Sequence, residues 1–308
     1  MISYKWIILI VSFFTLFMTY GILFSIGLYF KPLETEFNWS RTQISIAISI
    51  SMIVFGIFQP IVGRLIDKLG PKKVIASSVF ILGLSLSLMK YISNLWEFYL
   101  VFGVLAGLGF SGSTVLSNSV IVSGWFTNRR GKALGILSAG VNVGQMFILP
   151  ISMYVILSYG WRFSFSLIGG ILLLVILPLI LLFIRNNPHT DNKLNSDSQI
   201  HGNKQDITYF LKTKPFWLLF LSFYTCGFTA HGIFMHFPIF VAEYGVSEMD
   251  AATLIGMVGG ISIIGVLVMS FLFDRIGGKN PLASTYLLRS FSVLLLILFI
   301  YVNNILIL

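Results

Sequence analysis

The chain has 308 residues, of which 56% are hydrophobic and only 10% charged, and a water-soluble fold of that length has no interior large enough to hide so much apolar surface. Lipid is therefore expected to be the solvent for most of it. The formal charge of +9 would suggest nucleic acid in a soluble protein, but here the basic residues stand in short loops between apolar runs, so the charge reads as membrane topology and no nucleic-acid partner is expected.

Crossing about 30 Å of hydrocarbon takes about 20 apolar residues in a helix. Nine runs meet that length, at about residues 6–30, 42–63, 74–92, 96–123, 133–157, 162–184, 216–240, 251–273 and 282–302. The first follows Lys5 and could be taken for a secretory leader. It is longer than a leader core and has no small-residue cleavage pattern, so it reads as an uncleaved spanning helix. The fourth carries Gly103, Gly107, Gly109 and Gly112, a spacing that lets helices approach closely where no hydrophobic effect drives them together. The single cysteine, Cys226, lies in the seventh run and can form no intrachain disulfide.

The loops give the orientation. With the N-terminus in the cytoplasm, fifteen Lys and Arg residues from Lys5 to Lys279 fall on the inside, against four outside, Lys31, Arg41, Lys90 and Arg162; the positive-inside bias therefore places the N-terminus of this cell-membrane protein inside. Residues 185–214 are polar, rich in Asn and Asp, and separate six runs from three. They read as a cytoplasmic linker between an N-terminal six-helix bundle, 1–184, and a partial bundle of three helices, 215–308. His189 and His201 in the linker have no ligand cluster around them and read as solvated.

A short sequence occurs twice. Residues 63–73 read GRLIDKLGPKK after the second run, and residues 270–280 read SFLFDRIGGKN after the eighth. One loop repeated in corresponding places on either side of a linker indicates a duplicated bundle. The first copy resembles the cytoplasmic loop signature of the major facilitator superfamily, with Gly63, Asp67, Lys68, Gly70, Lys72 and Lys73 filling every slot. The second is weaker, keeping Asp274, Arg275 and Gly277 but with Ser270 and Asn280 in the first glycine and last basic positions. The resemblance implies an all-α, major-facilitator-type helical bundle in which these loops gate alternating access. Without the family, Gly70 and Gly277 still suit a tight turn between antiparallel helices.

The stretches GLYFKPLETEFNWSRTQIS, SGWFTNRRGKALGILSAGVNVGQMFILP, YGWRFSFSLIGG and CGFTAHGIFMHFPIF narrow the resemblance to the monocarboxylate and oxalate/formate transporter branch. That implies a secondary transporter of a small organic solute, a monocarboxylate or related anion, with proton coupling or exchange. Two basic residues of the branch are replaced: Phe24 stands where the first span tends to carry lysine, and Val266 where the eighth carries arginine. The family has twelve spans and nine are counted here, so the chain is expected to be a fragment or a shortened, non-transporting relative such as a decayed transporter or sensor subunit.

Polar residues at mid-span are the candidates for solute contact, because they are costly in lipid unless they line a cavity. They are Tyr20, Asn118, Asn142, Gln145, His231, His236 and Arg289, and each could instead bond a neighbouring helix. Asn142 and Gln145 share a helix face. His236, two residues before Pro238, could carry protons or sit at the outer interface. Arg289, eight residues into the last run, could grip a carboxylate or extend to the cytoplasmic surface. No GxxxxGK[ST] loop, Cys/His cluster or GxSxG elbow occurs, so neither an enzyme nor a cofactor or metal is expected. The expected partners are the bilayer, the solute and protons, with the oligomeric state open.

Overall fold

The computed structural model describes residues 4–126, 130–185, 212–243, 247–277 and 279–307. Among them there is no strand. The described residues run through nine helices: α1 Tyr4–Phe37, α2 Arg41–Leu69, α3 Pro71–Tyr91, α4 Leu95–Trp125, α5 Arg130–Tyr159, α6 Trp161–Phe183, α7 Lys214–Glu243, α8 Glu248–Ile276 and α9 Lys279–Ile307. Each of the nine apolar runs lies in one helix. The helices outlast the runs because their polar flanks remain helical; α1, for example, continues through KPLETEF to Phe37. Seven of these stretches, in α1–α6 and Glu248–Met269 of α8, are long and apolar enough to cross a bilayer. The expected linker falls mostly outside the described residues.

Short-range chemistry sets where the helices stop. Asn38 closes α1 in the left-handed conformation at φ 54°, and Ser40 with Gln43 forms a reciprocal capping box that starts α2. Asn94 and Glu97 do the same for α4. Gly70 (φ 81°), Gly160 (φ 85°) and Gly277 (φ 77°) carry the sharp turns into α3, α6 and α9, at angles a side chain would strain.

Small residues set how the helices pack. A Cβ on Gly144 of α5 would lie 2.2 Å from the Phe17 carbonyl of α1, and one on Gly109 of α4 would lie 2.6 Å from the Leu82 amide of α3. Gly83 of α3 and Gly169 of α6 meet in the same way: a Cβ on Gly83 would lie 3.2 Å from the Gly169 carbonyl, and one on Gly169 2.7 Å from the Gly83 carbonyl. Backbone rests on backbone, as expected where dispersion and polar contacts drive helix association. Large apolar side chains such as Ile53, Ile57, Leu100 and Leu174 point outward, the reverse of a soluble fold.

The described chain forms two compact units, Met1–Ile263 and Ile264–Leu308. In the first, α7 packs against residues 26–29 of α1, and Ala251, Ala252 and Ile255 of α8 are buried. The second comprises the last part of α8 and all of α9.

Candidate solute site and helix seams

The polar residues at mid-span centre on a break in α4. The hydroxyl of Ser111 donates to the Leu108 carbonyl at 2.7 Å and that of Ser113 to the Gly109 carbonyl at 3.1 Å, competing with the helix for its own backbone. The helix stops at Gly112, and Thr114 restarts it by accepting from the Ser117 amide. The gap leaves carbonyls before it and amides after it without helical partners, those of Ser111 and Val115 among them, and each must find a partner in an apolar medium. Gln59 of α2 supplies the first, donating from Nε2 to the Ser111 carbonyl at 3.1 Å. Tyr20 of α1 supplies the second, its hydroxyl meeting the Val115 backbone.

Asn118, in the first turn beyond the break, is fully buried. Its Nδ2 donates to the Thr114 carbonyl at 2.9 Å, while Oδ1 has no partner among the described residues. The same is true of the Ser12 and Thr19 hydroxyls on α1. A buried amide oxygen without a donor is destabilising by about 1–3 kcal/mol, so this end of α4 is chemically an acceptor that fits a water or a solute hydroxyl. Tyr20 and Phe24 stand side by side, ring centroids 6.4 Å apart, and no charged side chain lies on α1 between Lys5 and Lys31.

Asn142 and Gln145 meet α8. Gln145 is 3% exposed and donates from Nε2 to the Ile255 carbonyl at 3.3 Å. Gly259 lies against the same turn, where a Cβ would stand 2.8 Å from the Asn142 carbonyl and 3.0 Å from Gln145 Cβ. His231 and His236 lie in α7, and their side chains are outside the described residues. Arg289 is half-buried in the third turn of α9. The structure thus gathers Tyr20 with Asn118 at the α4 break, and Asn142 with Gln145 at the α8 seam.

The two repeated loops share a backbone. Gly70 and Gly277 adopt φ of 81° and 77°, which accounts for a glycine in both copies. Asp67, Lys68 and Lys73 are exposed, and Gly63 faces open space. Lys72 differs, donating to the Leu181 carbonyl at 2.7 Å. Tyr4 adds a bond to the Phe183 carbonyl at 2.7 Å and Trp125 one to the Arg185 carbonyl at 3.1 Å. Three helices thereby satisfy carbonyls that the end of α6 leaves open. Arg275 stacks over Phe271 at 4.4 Å, and the Asp274 side chain is outside the described residues.

At the opposite end of the bundle lies a hub that the sequence reading did not single out. Arg162 pairs with Glu36, donates to the Lys90 carbonyl at 3.1 Å and the Ile92 carbonyl at 3.0 Å, and stacks on Trp161 and Phe37. Trp161 also donates to Glu36 at 2.6 Å. One guanidinium fork therefore ties α6 to α1 and to the end of α3 with the turn that follows it. Beside it Lys31 pairs with Glu248 of α8, over a cleft of about 330 Å³ that reaches Thr35 and Trp161. Among the described residues no three of His, Cys, Asp and Glu converge as metal ligands.

Comparison with known proteins agrees with the helical bundle. The family model described as Major Facilitator Superfamily matches residues 8–308. A relative named as an uncharacterized MFS-type transporter of Bacillus subtilis (strain 168) is 26% identical over 304 residues, covering 96% of this chain and 71% of its own. Monocarboxylate transporter 13 of Rattus norvegicus is 24% identical over 278 residues, covering 90% of this chain; this chain spans 63% of that protein's length. Among solved structures, a proton:xylose symporter bound to 6-bromo-6-deoxy-D-glucose superposes with a TM-score of 0.71 at 15% identity, over 91% of this chain and 71% of its own. At that identity the likeness is one of fold.

Proposed function

The chain belongs to the major facilitator superfamily as a multi-pass membrane protein, and from that premise we propose that it serves a secondary active transporter moving a small organic solute by alternating access. The observation that carries this reading is the α4 break. There, Tyr20 and Gln59 are occupied with the backbone while Asn118 Oδ1 is left without a donor in a buried place. A membrane protein does not leave such a group empty without cost, and a hydroxyl-bearing solute or its water satisfies it.

The solute is a monocarboxylate or related acid, the class supported by the names of relatives such as monocarboxylate transporter 13, taken up with a proton or by exchange. Phe24 and Val266 stand where the branch resemblance would place cations, so the anion has no fixed counter-charge from those two positions. A carboxylate accepts hydrogen bonds only, whereas the neutral acid also donates one, and Asn118 Oδ1 is an acceptor. Movement of acid and proton together follows from that match. The N-terminus and the Gly70 and Gly277 loops face the cytoplasm, by the fifteen-to-four distribution of basic residues. Asp67 and Asp274 act there as gating groups, and the six-plus-three division about residues 185–214 is the domain plan.

Uptake into proteoliposomes tests this, with radiolabelled short-chain monocarboxylates, sugars and amino acids presented with and without an inward proton gradient. The expected result is monocarboxylate uptake that rises with the gradient. Gradient-independent uptake would remove the proton coupling, and no flux of any solute would leave a bundle that does not transport.

A further inference from the structure

The two ends of the first unit handle charge differently. At the end with Lys31, the basic side chains of Lys31, Arg41 and Arg162 each meet a carboxylate, from Glu248, Glu34 and Glu36. At the opposite end, Lys5, Arg130, Lys132 and Arg185 form no ion pair among the described residues. Asp67, on α2, is the one carboxylate described at that end. Like charges gathered in one place repel one another, and an anion bound among them relieves that repulsion.

Two of the four cations are held in place by rings. Lys5 Nζ lies 5.5 Å from the centre of Phe126, and Arg185 Cζ 5.2 Å from that of Tyr4. The rings are themselves joined: Tyr4 packs on Trp125 at 5.6 Å, and Trp6 meets Phe126 edge-on at 5.4 Å. Trp125 also donates to the Arg185 carbonyl at 3.1 Å. The ends of α1, α4 and α6 thus build one aromatic platform with two cations stacked on it. Beside it, α5 runs parallel to α1, and the register that sets Gly140 against Phe13 and Gly144 against Phe17 brings Lys132 level with Lys5. Ala133, next to Lys132, is buried with Leu9 and Phe126. Lys132 and Arg130 are both exposed.

The make-up of the platform identifies what it binds. Trp6 is 42% exposed at the end of a span, the place where an amphipathic ring meets lipid headgroups. Ammonium and guanidinium groups beside it recognise phosphate oxygens, the guanidinium in bidentate fashion. A soluble phosphate would use the cations but not the exposed ring, whereas a phospholipid uses both, its phosphate on the cations and its glycerol and upper chains on Trp6. A zwitterionic lipid would bring its own positive group to a place already positive. We propose that the Lys5–Arg185 platform binds the headgroup of an anionic phospholipid, with Arg130 and Lys132 supplying the outer charge.

Native mass spectrometry of the full chain in detergent, titrated with phosphatidylglycerol or with phosphatidylcholine of the same acyl chains, tests the site. Phosphatidylglycerol should bind about tenfold more tightly. Each basic residue beside an anionic lipid is worth about fivefold in association, so Lys5→Gln combined with Arg185→Gln should weaken phosphatidylglycerol binding by about tenfold or more. Lys68→Gln combined with Lys73→Gln removes the same charge from exposed positions at the same end. That pair should weaken binding by less than about threefold, as screened charges off the site do. If the first pair does not elute as a monodisperse species, Arg130→Gln combined with Lys132→Gln takes its place with the same expectation. Equal weakening by site and control pairs would reduce the site to a diffuse positive surface and overturn the proposal. So would equal affinity for the two lipids, or displacement of phosphatidylglycerol by inorganic phosphate at equal concentration.

Discussion

Arg162→Ala tests whether the hub at the Lys31 end of the bundle ties α6 to α1 and to the end of α3 through one side chain. The side chains of Arg162 and Glu36 are 34% and 40% exposed, so their charge pairing contributes no more than about 0.2–1 kcal/mol. The bonds to the Lys90 and Ile92 carbonyls add about 0.5–1.5 kcal/mol each, and the stacks on Trp161 and Phe37 about 0.5–1 kcal/mol each. One guanidinium makes all of these contacts, so they do not add fully, and a loss of about 2–4 kcal/mol is expected. At about 2–4 °C per kcal/mol for a chain somewhat smaller than this one, the midpoint of heat-induced loss of monodisperse protein in detergent should fall by about 5–10 °C. Arg162→Lys keeps the charge without the planar fork and should recover less than half of the loss. Arg41→Ala is the control: Arg41 pairs with Glu34 at 3.1 Å but is 57% exposed, and its removal should lower the midpoint by less than about 2 °C. Equal shifts for Arg162→Ala and Arg41→Ala would refute the hub.

Gly144→Ala should destabilise by at least about 1–3 kcal/mol, because the new Cβ would lie 2.2 Å from a backbone carbonyl, whereas Gly56→Ala, with nothing within 4 Å, should be neutral or stabilising by up to about 1 kcal/mol; thermal midpoints compare the two directly. Tyr20→Phe strips the partner from the Val115 backbone and should speed hydrogen exchange of the peptide spanning residues 113–118 without a comparable change in α6. Lys72→Ala should cost about 1 kcal/mol through the Leu181 carbonyl, and Lys73→Ala, at an exposed position, less than about 0.5 kcal/mol, both read from the same midpoints.

Apolar run length alone located the helices, because the bilayer sets a minimum that no other constraint relaxes. The turns were legible where one residue type is required: Gly70 and Gly277 could be named from their repeated place in two loops, and both prove to have the left-handed backbone that excludes a side chain. Gly160 has the same conformation but sits in no repeat, so only the structure finds it. Partner choice was the least legible. Asn142 and Gln145 were readable as one helix face, yet that they meet Gly259 and the Ile255 carbonyl depends on which helix α5 packs against, and periodicity within α5 carries no information about α8.

The α4 break shows why polar residues in a membrane span are ambiguous from sequence. Tyr20 and Asn118 read as solute contacts, being polar at depth, and Gln59 is not among the candidates, but each unpaired backbone group in lipid requires a partner before any solute does. The break creates several such demands, and Gln59 and Tyr20 meet two of them. Asn118 uses only its amide nitrogen on the backbone and keeps its oxygen. Of these three polar side chains, therefore, two are committed to holding a discontinuous helix in place, and the one with spare capacity is Asn118. A substitution that only releases solute should accordingly be sought at Asn118, while substitutions at Tyr20 or Gln59 that reduce transport should also loosen α4.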